Sequence, residues 1–101
     1  MRRLPKDIVE EMKIRFKSEY DFADKILTKY LIQNEYLNSD RIIRCVIFLA
    51  NNGIESFKSS LDSAKGDPRD VMYWAEYEGD FKNHKVKQIR NFNKTFKQND
   101  I

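Results

Sequence analysis

The chain reads as an all-α protein, a compact bundle or orthogonal array of five to six short helices. Three observations predict this. Apolar residues recur at steps of three and four along several segments, the spacing of one helix face. The three glycines and two prolines fall at the boundaries of those segments. No pair of alternating segments flanks a tight turn in the way a β-rich chain would show. The expected helix content is about 65–75%, against the usual third.

The first helix runs from Pro5 to about Phe16. Proline suits the first turn, where its missing N–H would find no intrahelical partner. Leu4, Ile8, Val9, Met12 and Phe16 form one stripe, with Ile14 off it. Ser18 and Asp21 have capping-box spacing and open a second helix over about 19–37, with Ala23, Ile26, Leu27, Tyr30, Leu31 and Leu37 inward. Asn38-Ser39-Asp40 supplies a break and a new N-cap.

Residues 42–50 are rich in β-branched side chains and would suit a buried strand before an Asn52-Gly53 turn. The next segment decides otherwise, because Ile54, Phe57, Leu61 and Ala64 recur at helical spacing. The third helix is therefore placed over 39–51, apolar on nearly every side and deeply buried, with Gly53 as its left-handed C-cap. The fourth runs over about 54–65 and stops at Gly66. Asp67 as N-cap and Pro68 at the first position open the fifth, which continues to about Glu78 and stops at Gly79. A sixth short helix over about 83–91 fits Val86 and Ile89. Residues 93–101 are expected to be loosely held.

One domain is expected for 101 residues. With 41% hydrophobic and 13% aromatic residues, the chain can bury a core and is unlike a disordered protein. Its longest near-apolar run is 42–50, broken by Arg44, far short of the roughly 20 residues that span a bilayer. The start Met-Arg-Arg-Leu-Pro-Lys-Asp has no apolar stretch behind it and does not read as a secretory signal. Cys45 is the only cysteine and sits in the apolar run, as a buried thiol in a reducing compartment would. A cytoplasmic location follows as the expectation.

The net charge of +3 is unevenly placed. Residues 1–78 carry 13 basic and 14 acidic side chains, a net of −1. Residues 79–101 carry Lys82, Lys85, Lys87, Arg90, Lys94 and Lys97 against Asp80 and Asp100, a net of +4. The chain thus divides into a helical body, 1–79, and a basic C-terminal tail, 80–101, whose short helix can pack back on the body. Such asymmetry can mark contact with an acidic partner.

Chemistry is not legible. Phosphate-binding loops need clustered glycines, and these stand apart at 53, 66 and 79. One cysteine and one histidine, His84, do not make a tetrahedral metal site. No base is identified for Ser59 or Ser60. Glu10 and Glu11 point about 100° apart on a helix, Glu76 and Glu78 nearly oppose each other, and all four read as solvated charges. The expectation is a protein that is not an enzyme and needs no cofactor or metal.

Two features point to binding. Tyr73, Trp74 and Tyr77 span about 100° of the fifth helix, and Val71 and Ala75 widen that arc to about 200°, broader than an end helix usually buries. Either the tail covers the cluster, through Phe81, Val86, Ile89 or Phe92, or another chain does, since Trp, Tyr and Arg often anchor interfaces. Tyr73, Trp74, Tyr77 and Phe81 are therefore the candidate interface for another protein or a second copy. The alternative is a nucleic-acid-binding accessory protein, with Lys82, Lys85, Lys87, Arg90, Lys94 and Lys97 on phosphates and Phe92 or Phe96 stacked on bases. Arg44 either snorkels, meets a carboxylate from another helix, or joins Arg41 in a small anion site. No membrane partner is expected.

Overall fold

The computed structural model describes residues 3–101; Met1 and Arg2, which open the basic start, lie outside them. Five helices follow in order: α1 (Lys6–Phe16), α2 (Tyr20–Gln33), α3 (Asp40–Phe48), α4 (Ile54–Gly66) and α5 (Pro68–Glu76). An antiparallel hairpin of β1 (Tyr77–Asp80) and β2 (Lys85–Gln88) comes next. The architecture is mostly helical, at 66% helix, with this small sheet added.

α3 is the hub. It packs against α1, α4 and α5, while α2 bridges α1 and α4. Ile43, Cys45, Val46 and Ile47 are buried, so the segment that resembled a strand is a core helix. Each fully buried aliphatic side chain contributes roughly 1.5–3 kcal/mol. Ile8, Met12 and Phe16 from α1, Ala23, Leu27 and Leu31 from α2, Phe57, Leu61 and Ala64 from α4, and Val71 and Ala75 from α5 close around it. The Cα radius of gyration is 13.1 Å, that of a packed chain of this length.

Two polar links tie α2 and the 3-10 turn that follows it (Glu35–Leu37) to α4. Tyr30 donates its hydroxyl hydrogen to Asp62, and Tyr36 donates to the Lys65 carbonyl near the end of α4 at 2.7 Å. The Asp62 bond, then burial, then the Asp62 charge push the Tyr30 phenol up to about 12.

Several boundaries depart from the sequence reading. Ser18 and Asp21 form no capping box; α2 starts at Tyr20, with Glu19 at a cap that makes no side-chain bond. α2 stops at Gln33, where the Asn34 amide and side chain both donate to the Tyr30 carbonyl. A 3-10 turn over Glu35–Leu37 then carries Leu37 into the core. Gly53 has the positive φ expected, +75°, but precedes α4 as its N-cap and does not cap α3.

The largest departures follow Ala75. α5 ends at Glu76, not Glu78, and Gly79 lies within β1 instead of stopping a helix. No sixth helix forms over 83–91. Residues 77–88 pair as a hairpin with Glu78 opposite Lys87 and Asp80 opposite Lys85, opposite charges that favour a ladder. Asp80 accepts from the Asn83 backbone and side chain across the turn, and these bonds hold its carboxyl below the usual range. His84 takes φ +56° to close that turn. Nor is 93–101 loosely held. Phe92 and Phe96 are buried in the core, Phe92 against Phe48 and Phe96. Asn99 ties the segment together by bonding the backbone of Asn91 and Thr95.

Candidate interaction surface

α5 is set by its start. Asp67 accepts from the Arg69 amide at 3.0 Å, and Pro68 occupies the first turn. The helix then turns Val71, Met72, Ala75 and Glu76 inward. These lie within about 140° of the wheel. Tyr73 and Trp74 therefore face away from the core, and the chain leaves the helix at Tyr77.

The outward aromatics are partly covered by the hairpin. The Tyr73 ring lies 5.1 Å from Phe81, edge to face at 87°, and 5.3 Å from Tyr77. Such pairs add about 0.5–1.5 kcal/mol beyond area burial. Among the described residues Trp74 enters no ring pair, and it is 47% exposed; Phe81 is 36% exposed. Of the tail residues expected to cover the cluster, Phe81 alone pairs with one of its rings among the described residues. Phe92 goes to the core, and Ile89 is 50% exposed.

The base of this surface is anchored by Glu76, which is not the solvated charge expected from its sequence position. Its side chain is 1% exposed. It accepts both forks of Arg41, at 2.8 and 2.6 Å, the Phe92 amide at 3.0 Å and the Gln88 side chain at 3.2 Å. Its backbone carbonyl accepts from Ile89 and Arg90. One residue thus pins α3, β2 and the C-terminal segment to the end of α5. Nothing local marks it: Glu76 stands four residues after Met72, and which side of that wheel faces the core is set by the packing. Glu11 is not solvated either, since it pairs with Arg15 at 2.6 Å on α1.

Arg44 is also built in. It meets Asp7 of α1 with two bonds, at 2.9 and 3.0 Å, and donates to the Phe92 carbonyl at 3.1 Å. Burial raises the Asp7 carboxyl, but the Arg44 bond, the Phe96 amide, the Arg44 charge and the Ile8 amide outweigh it and leave it lowered. Arg41 and Arg44 therefore form no anion site, because both forks are occupied by carboxylates. Burial pushes the Cys45 thiol up, away from a thiolate.

The basic tail divides. Lys82, Lys85, Lys87, Lys94 and Lys97 are exposed. Arg90 is not available to an anion: it donates to the Ala75 carbonyl at 2.7 Å, pairs with Glu78 at 2.7 Å and lies 4.4 Å over the Phe48 ring. With Phe92 and Phe96 inside the core, neither can stack on a base.

Among the described residues, no group of three or more His, Cys, Asp or Glu side chains could hold a metal ion. No helix among them is long and apolar enough to cross a membrane. Comparisons with models of protein families, with curated proteins and with solved structures return no match.

Proposed function

We propose that this is a protein-interaction module whose docking surface is the outward side of α5 with the hairpin turn: Trp74 at the centre, with Tyr73, Tyr77 and Phe81 around it. The occupant is another polypeptide, with a second copy of this chain the first to test. The observation that carries the reading is the half-exposed Trp74 on a helix whose inward face is locked by Val71, Ala75 and Glu76. A large apolar side chain held rigidly loses little conformational freedom on binding, which favours it as an anchor. The nucleic-acid alternative keeps five exposed lysines but loses its stacking residues to the core.

The test is Trp74→Ala. Sedimentation measures self-association of the pure protein, and affinity capture with and without nuclease measures other partners. Binding should weaken by about 2 kcal/mol or more, the threshold of an interface anchor. Folded stability should change by no more than about 1 kcal/mol. Nuclease should leave the Trp74-dependent binding intact. A variant that unfolds would make Trp74 ordinary core, and binding lost only to nuclease would favour the alternative.

A further inference from the structure

We infer that the outer edge of β2 is a strand-addition site for an acidic extended segment of another protein. This goes beyond the aromatic surface and does not rest on it. The register decides which backbone groups are free. Ile89 donates to the Glu76 carbonyl, so the hydrogen-bonded pairs of the ladder are 78 with 87 and 80 with 85, given the register Glu78↔Lys87. Tyr77 with Gln88 and Gly79 with Val86 are the intervening pairs. The N–H and C=O of Val86 and Gln88 therefore point away from β1, and no backbone partner meets them among the described residues.

Charge selects the occupant. Lys85 and Lys87 share one face of the sheet and are exposed. The carboxylates opposite them are engaged elsewhere, Glu78 with Arg90 and Asp80 with Asn83. Neither lysine makes an ion pair among the described residues. An added antiparallel strand would place the residue opposite Val86 in a hydrogen-bonded pair, and its two neighbours opposite Lys85 and Lys87 in the closer pairs. Acidic residues at those two neighbouring positions, two apart in sequence, are what the edge accepts. β1 already shows the pattern, with Glu78, Gly79 and Asp80 facing Lys87, Val86 and Lys85.

The same charges argue against a second copy on this edge. Two β2 edges paired antiparallel about Val86 set Lys85 against Lys87, and like charges directly opposite destabilise a ladder. A heterologous acidic strand removes that repulsion. Past Gln88 the edge opens into a recess of 390 Å³ whose lining includes Ile89, Asn91, Lys94, Asn99 and Asp100, so a longer segment would meet one lysine and one carboxylate there. The Gln88 end of the edge is anchored, because Gln88, Ile89 and Arg90 all bond Glu76.

The experiment is an NMR titration of the isotope-labelled full chain with a short blocked peptide alternating glutamate and valine. Its comparators are the same peptide N-methylated on the central valine, the lysine-for-glutamate peptide and single-stranded oligothymidine. The glutamate peptide should shift the Val86 and Gln88 amides and slow their hydrogen exchange. N-methylation should weaken it at least about tenfold, the equivalent of one or two ladder hydrogen bonds, and the lysine peptide should not bind. The double variant Lys85→Gln, Lys87→Gln should lose about tenfold with the hairpin signals unchanged; if the hairpin is lost, the N-methyl comparison on the unaltered protein decides. Equal binding of the N-methylated peptide, no binding of the glutamate peptide, or tighter binding of oligothymidine through the same amides would each overturn the proposal.

Discussion

Glu76→Ala is the most informative single change in this fold. It removes an acceptor that holds Arg41, Phe92 and Gln88 at once. Breaking a buried ion pair costs about 3–5 kcal/mol when a charge is left uncompensated. The Arg41 side chain is 32% exposed and can turn its guanidinium to water, so the lower end applies. The Phe92 amide cannot follow, since that residue is fully buried, and an orphaned buried donor costs a further 1–3 kcal/mol or so. Gln88 lies at the surface and loses little. The expected total is about 4 kcal/mol, a large share of the roughly 5–15 kcal/mol that a domain has. For a chain of this size that lowers the melting temperature by about 20 °C. Urea unfolding followed by circular dichroism reads the loss, and hydrogen exchange should show the Phe92 amide opening. Glu76→Gln keeps the shape and an acceptor oxygen, so it should cost about half as much. A loss below about 1 kcal/mol for Glu76→Ala would refute the claim that this carboxylate ties the C-terminal segment down.

Two further changes test other links. Gly79 has φ +136°, and a Cβ there would sit 2.4 Å from the Lys85 carbonyl oxygen across the hairpin. Gly79→Ala should therefore cost about 2 kcal/mol or more and weaken the ladder signals of β1 and β2 by NMR while α1 to α4 persist. Tyr30 has its phenol raised from 10.0 to about 12 by Asp62. Its contribution is complete below pH 10 and is lost as pH rises towards 12. Melting curves across that window should show a steeper decline for the parent than for Tyr30→Phe; parallel declines would mean the link to Asp62 carries no linkage.

What the sequence determined by itself is the set of features carried by near neighbours. The stripe Ile8, Met12, Phe16, the stripe Phe57, Leu61, Ala64 and the Asp67-Pro68 start of α5 depend on residues within one or two turns, and their periodicity is visible in a linear chain. So is the core helix α3, once its flanks are read, although it ends at Phe48, short of the expected 51. The partners far apart in sequence come from the packed fold alone. Arg44 with Asp7, Arg41 with Glu76 and Phe96 with Asp7 are separated by 37, 35 and 89 positions. Linear spacing cannot say which arginine meets which acid. The tail departs from the helical pattern of its sequence for a related reason. Lys85-Val86-Lys87 alternates over too few residues to outweigh a helical pattern, and its strand is held by cross-strand pairing and by the Glu76 carbonyl, neither of which is local to it. The outward face of Trp74 follows likewise: an aromatic arc on a helical wheel has no preferred side until Glu76 is seen to point into the core.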